Sequence, residues 1–127
     1  GEALRVQGEA GMAIYTWGLL PKIRQWDEVA LPPSVVEVHP EVSFRAMAPG
    51  IDFVRKKSAP GALQRIEALS STVDVQAALA AAPTGAGLDD ALDALAAAWS
   101  AQRFATGVAE TLGGELDGHG RSMRIVV

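Results

Sequence analysis

The sequence contains no cysteine in its 127 residues, so disulfides and thiolate metal sites are excluded. Positive charge is scarce as well, because 11 lysines and arginines stand against 15 aspartates and glutamates, a net charge of −4. The broad basic face that usually accompanies avid nucleic-acid binding is therefore not indicated, although a metal ion would offset local acidity. No apolar run is long enough to span a bilayer and no signal peptide is evident, so we expect a cytoplasmic protein without membrane contact.

What the sequence does have is enough apolar residues for a core. They make up 49% of the chain, against 20% charged residues, which is typical of a folded protein. A chain of this length is expected to form a single domain over 1–127. The clearest helix covers 88–105, where apolar residues starting at Leu88 recur at spacings of four and three. A second amphipathic stretch, over 12–29, contains Pro21, which predicts a kink or two separate helices.

Shorter elements are predicted around these two helices. The expected helices cover 41–47, 60–69 and 73–82, and a strand is expected at 123–127. Along the 60–69 helix, Leu63 is expected to face the core and Arg65 to lie near its rim. Ser71 or Thr72 is the expected cap of the helix that follows. The glycine-rich residues 107–122 are expected to form a loop.

Residues 34–39 are the candidate centre of the fold. Three valines favour a short buried strand, and Pro40, which lacks an N–H, is expected to end it. Alternation along the strand puts Glu37 and His39 on one face, opposite the valines at 36 and 38. A carboxylate there is costly to bury alone, so Glu37 needs a cation, a donor network or a metal ion. A structural ion pair with Lys56, Lys57 or an arginine and a metal site are open alternatives.

Three aspartates near the start of the 88–105 helix form a second acidic group. Asp90 and Asp93 are three residues apart and Asp89 and Asp93 four, so each pair can converge on one point. Oxygen ligands of this kind suit magnesium or manganese. Helix capping and the macrodipole would by themselves place acids at Asp89 and Asp90, but they explain Asp93, about one turn into the helix, less well.

Several motifs, taken in order, resemble one known family. The segment EVHPEVSF at 37–44 is similar to the signature of the family called domain of unknown function 429, described as predicted nucleases with an RNase H-like fold. A lysine pair at 56–57 followed by Gly61 and Arg65 continues the resemblance, as does the segment DDALDALAAAW at 89–99. The resemblance extends over about 115 residues, from 12 to 127.

The resemblance implies a metal-dependent nuclease site shared by a strand and a late helix. The implied ligands of Mg²⁺ or Mn²⁺ are Glu37, Asp90 and Asp93. The residues implied to orient water or to support those ligands are His39 and Glu41. The implied contacts to a nucleic-acid substrate are Lys56, Lys57 and Arg65. Because residues 1–33 contain no match to the first-strand aspartate of RNase H-like nucleases, the resemblance also implies an incomplete site.

We therefore expect an α/β fold, the helix-rich C-terminal part of an RNase H-like fold, with a short sheet, packed helices and the opening strands missing. A sheet made of 34–39 and 123–127 would leave exposed edges, which predicts a homodimer or dependence on further N-terminal residues. The expected activity is phosphodiester hydrolysis. The alternative is a non-catalytic binding or interaction protein that keeps the fold and uses the acids structurally.

Overall fold

The protein combines helices with a small antiparallel sheet. The computed structural model describes residues 14–127, apart from the side chain of Tyr15. The described helices are α1 (Ile14–Asp27), α2 (Pro40–Met47), α3 (Ala59–Ser70), α4 (Val75–Ala80) and α5 (Leu88–Ala105). The described strands are β1 (Thr111–Leu116) and β2 (Ser122–Val126), which pair with each other. The expected α/β class is confirmed, and the part of the expectation for residues 1–33 that concerns residues 1–13 lies outside the described residues.

Helix α1 belongs to a compact unit of its own that ends at Val35, and residues 36–127 form the other unit. The helix is continuous through Pro21, so the predicted division into two helices is not found. Trp17 and Trp26 are among its exposed apolar side chains. None of the helices in the described chain combines the length and the apolar character that crossing a membrane requires.

The core of the second unit lies between α2, α3, α4 and α5. Its fully or almost fully buried apolar side chains are Phe44, Leu69, Val75, Leu92 and Ala96. Along α5 the buried line runs through Leu92, Ala96 and Ser100 at a constant spacing of four, which places them on one helix face. Leu88, expected to begin the apolar stripe, is about half exposed, and Leu63 of α3 is also exposed rather than inward.

The expected strand at 34–39 does not form. Residues 35–39 are extended but lie outside the sheet, and a single backbone bond, from the Val126 N–H to the Glu37 carbonyl at 2.9 Å, joins them to β2. The Val35 N–H donates to the Pro32 carbonyl in a turn, and the His39 carbonyl accepts the Val42 and Ser43 N–H groups at the start of α2, so both ends of the segment are bonded outside the sheet. The predicted alternation is nevertheless present, because Glu37 is exposed between half-buried valines.

The sheet is instead a hairpin, one strand of which lies in the glycine-rich residues that were predicted to form a loop. Residues 111–116, expected to belong to a loop, form β1, and the predicted terminal strand is present as β2. Gly113 and Gly114 have positive φ and produce a bulge before Glu115. A side chain at Gly113 would meet the Met123 carbonyl at 2.6 Å, so the two strands approach closely because this position is glycine.

Polar side chains cap the first turns of two core helices. The Ser58 hydroxyl accepts the Gly61 N–H at the start of α3, where proline occupies an early position. Helix α4 is capped by Asp74, whose carboxylate accepts the Ala77 N–H, and not by Ser71 or Thr72 as expected. Those two hydroxyls instead donate to carbonyls in the last turn of α3.

Candidate functional site

Three of the acids singled out in the sequence lie around one lysine. The Lys56 ammonium lies 2.6 Å from Asp93 Oδ2, with Asp89 and Glu41 close enough to act on its charge. Its hydrogen bond to Asp93 is the main reason that the Lys56 pKa is raised above its ordinary value, and the two further acids add to this against partial desolvation. We call Glu41, Asp89, Asp93 and Lys56 the lysine cluster. It joins α2, the loop before α3 and α5.

Buried contacts hold the lysine-bearing loop in place. One nitrogen of the Arg65 guanidinium donates to the Val54 carbonyl at 3.0 Å, and the Ser58 N–H donates to the Arg55 carbonyl at 2.9 Å. A Cβ on Gly61 would stand 2.0 Å from that same Arg55 carbonyl oxygen. The loop therefore packs on the start of α3 at a distance that only glycine allows, and this packing delivers Lys56 to α5.

Arg65 lies inside the protein and not near the rim, which corrects the expectation from its charge. Only 3% of its side chain is exposed, and it makes a bidentate pair with Glu41 through bonds of 3.1 and 2.7 Å. Its guanidinium also lies 5.5 Å from the Phe44 ring centre and 5.2 Å from that of Phe53. Glu41 and Arg65, expected to serve water and substrate, are thus bound to each other.

The three aspartates of α5 divide between two sides of the helix. Asp89 and Asp93, four residues apart, face the lysines, and Asp89 Oδ2 lies 3.8 Å from the Lys57 ammonium. Asp90 lines a groove of about 300 Å³ on another side of α5, among alanines and Leu95. Near Gly87, however, the carboxylates of Asp89 and Asp90 come close, since both lie within 3.1 Å of where a Cβ would be.

Glu37 and His39 are exposed on the extended segment before α2. Within residues 14–127 no three histidine, aspartate or glutamate side chains are grouped so that they could hold a metal ion. The structure therefore does not gather Glu37, Asp90 and Asp93 into a three-residue cage. Asp93 Oδ1, in contrast, is buried and has no hydrogen-bond partner in the described part of the chain.

A further contact connects the EVHPEVSF segment to α5. The hydroxyls of Ser43 and Ser100 lie 2.7 Å apart, fully buried between α2 and α5. The sequence did not predict this contact between Ser43 and Ser100, because hydrophobic periodicity does not identify a buried hydroxyl pair. The signal present in the sequence is the spacing of four from Leu92 through Ala96 to Ser100.

The fold and its site define a mixed α/β chain in which Glu41 is paired with the buried Arg65 and Asp93 with the partly buried Lys56. Residues 2–117 match the family described as "Protein of unknown function (DUF429)", and the chain belongs to this family. The match begins further toward the N-terminus than the resemblance seen in the sequence motifs, and it ends before β2. Neither a curated protein nor a solved structure matches the chain.

Proposed function

We propose that the chain carries part of a divalent-metal-dependent nuclease site of RNase H-like type, with Asp93 as its central ligand. Asp93 Oδ1 supports the proposal, because a buried carboxylate oxygen without a donor is rare in folded proteins. The carboxylates of Asp89 and Asp93 would offer oxygen ligands, as a hard cation requires. Mg²⁺ often binds through one or two carboxylates plus water and substrate phosphate, so a three-residue cage is not a condition.

Four of the other implied residues have a role in this proposal. Glu37 and Asp90, which the structure does not group with Asp93, would have to approach it to complete the metal's ligands. A metal held there would polarise a phosphodiester and activate water. His39, which is exposed two residues after Glu37, would orient the attacking water. Lys57, with 73% of its side chain exposed, would attract the nucleic-acid backbone. It borders a cavity of about 320 Å³ together with Lys56, Ser58 and Asp89.

A specific observation favours a second candidate, a non-catalytic binding protein. Three of the acids have cationic partners in the structure, in the pairs Glu41–Arg65, Asp89–Lys57 and Asp93–Lys56. Pairs of this kind also occur where acids serve only to join helices and loops. Under this second proposal the cluster stabilises the packing of α2, the loop and α5, and the chain binds a partner without turnover.

Calorimetric titration with MnCl₂ separates the two functions. We compare the unaltered chain with Asp93→Asn, Glu37→Gln and Asp90→Asn, and use Asp52→Asn, at an exposed loop position, as the matched control. The nuclease proposal expects binding that Asp93→Asn abolishes, that Glu37→Gln and Asp90→Asn weaken, and that Asp52→Asn leaves unchanged. Measurable binding that is equal in all five proteins would remove the metal role of these acids and leave the binding protein. Cleavage of single-stranded DNA and RNA with Mn²⁺ then tests turnover.

A further inference from the structure

We infer that Lys56 is a built-in competitor for the cation site at Asp93, so that a divalent metal binds only after the lysine ammonium has moved away. This inference rests on the proposed function and concerns the regulation of the same site. Its basis is position, because the Lys56 ammonium already lies 2.6 Å from Asp93 Oδ2. A divalent metal ion on this carboxylate would place its two positive charges next to the positive charge of the Lys56 ammonium.

The two cations cannot share the carboxylate without strong repulsion. Mg²⁺ binds oxygen at about 2.1 Å, so an ion on Asp93 Oδ2 would occupy the space next to that oxygen where the ammonium now lies. Asp93 is only 23% exposed, which limits screening of the repulsion by water. The ammonium must therefore leave Oδ2 before a metal ion can bind this carboxylate with both of its oxygens available.

The lysine is held at the carboxylate by more than its own ion pair. Arg65 and Ser58 fix the backbone on either side of Lys56, and the Gly61 contact keeps the loop against α3. Asp89 and Glu41 add a favourable field from two further directions. The ammonium is thus preorganised on Asp93, and the free energy needed to displace it reduces the apparent metal affinity.

The neighbouring lysine provides a control within the same cluster. Lys57 is 73% exposed and lies 3.8 Å from Asp89, against 37% exposure and 2.6 Å for Lys56 and its partner. Both lysines carry the same charge, so a purely general loss of positive charge would affect both variants alike. An effect confined to Lys56 would show that contact with Asp93, and not net charge, limits metal binding.

Calorimetric titration with MnCl₂ on the full chain tests the inference. Lys56→Met is expected to raise the affinity at least about tenfold, because it removes a cation in contact with the ligand. Lys57→Met is expected to change it less than about threefold, as for an exposed charge. Lys56→Arg, which keeps the charge, should bind like the unaltered chain, and adding Asp93→Asn to Lys56→Met should abolish the gain.

The outcomes distinguish the inference from the function on which it rests. Binding by the unaltered chain with no change in Lys56→Met would overturn the competition and leave the metal proposal standing. No binding by the unaltered chain but clear binding by Lys56→Met would support both. Heats absent from every protein would overturn both. Circular dichroism and thermal unfolding of each variant verify the fold, and loss of fold in Lys56→Met would itself contradict the inference, since it would make Lys56 a structural residue.

Discussion

The guanidinium of Arg65 and the carboxylate of Glu41 are fixed to each other in two parallel hydrogen bonds across the α2–α3 contact. The pair is asymmetric, since the arginine is 3% exposed and the glutamate 33%. Two aromatic rings and two backbone carbonyls take up the rest of the guanidinium. Glu41 and Arg65 therefore stabilise the scaffold that carries Lys56.

Replacing Arg65 by methionine should destabilise the protein. The change removes the ion-pair partner of Glu41 and the side-chain donor of the Val54 carbonyl, and we expect a loss of about 3 kcal/mol, the low end for a broken buried pair because Glu41 keeps some exposure. Urea unfolding followed by circular dichroism measures it. Arg45→Met, on the exposed side of α2, is the control and should change stability by less than about 0.5 kcal/mol. Equal losses in the two variants would contradict the structural role of Arg65.

Gly61→Ala should move the loop that carries Lys56. A methyl group there would lie 2.0 Å from the Arg55 carbonyl oxygen, so the loop must shift, at a cost of about 1–3 kcal/mol. Gly18→Ala is the matched helical control, because nothing lies within 4 Å of its Cβ position, and it should be neutral or gain up to about 1 kcal/mol. Thermal unfolding measures both. A neutral Gly61→Ala would mean that the loop is not held at this distance.

Ser43 and Ser100 should show strong coupling. Ser43→Ala leaves the Ser100 hydroxyl without its buried partner and should cost about 1–3 kcal/mol, and so should the reverse change. Removing both hydroxyls leaves neither unpaired, so the double variant should cost clearly less than the sum of the single variants. Urea unfolding of the four proteins gives the coupling energy. Simple additivity would show that the two hydroxyls do not depend on each other.

The turn at Asp117 should respond to acid. The Arg121 N–H, followed by the His119 N–H and the Arg121 side chain, lowers the pKa of this carboxyl from 3.8 to about 2. Because the folded pKa is the lower one, the stabilisation is present above about pH 3.8 and is lost as the pH falls toward 2. Carboxyl ¹³C shifts measured against pH test this. In Arg121→Gln the Asp117 pKa should stay low, since the backbone donors remain. An Asp117 pKa near 3.8 in the unaltered chain would contradict the hydrogen bonds of this turn.

The β1 edge should lead to self-association. Within the described chain β1 pairs with β2 alone, and all of its residues are exposed. An open edge of this kind is a template for another strand, so we expect a homodimer in solution. Light scattering should give the mass of two chains, and Leu112→Lys, which adds a charge to this strand, should give the mass of one. A stable single-chain mass for the unaltered protein would contradict the expected dimer.

The sequence predicted those elements whose signal is local. Helix α5 begins and ends at the predicted residues because its apolar spacing and flanking glycines act within the helix itself. The prediction of a strand at 34–39 was wrong because a strand requires a neighbouring strand that pairs with it along its length, and valine content does not report one. Likewise, glycines that indicate a loop also permit a bulged hairpin, so β1 was missed.

The candidate site was predictable only in part, for a similar reason. Asp93 stood out as an acid within an apolar helix, but its partner Lys56 lies 37 residues away, and no spacing rule connects them. Arg65 was expected near the rim because it is charged. Its burial follows from its place between Gly61 and Leu69 at spacings of four, on the inner face of α3. The predicted phase, which put Leu63 inward, was wrong for the same helix.

The bond between the Val126 N–H and Glu37 uses the carbonyl of Glu37 and leaves its carboxylate exposed. At this position the main chain attaches the segment before α2 to the hairpin, while the side chain takes no part in that attachment. A side-chain substitution at Glu37 therefore removes the carboxylate while it leaves the backbone bond to the hairpin in place. Any change in metal or nucleic-acid binding that it causes reports on the carboxylate itself and not on a disturbed fold.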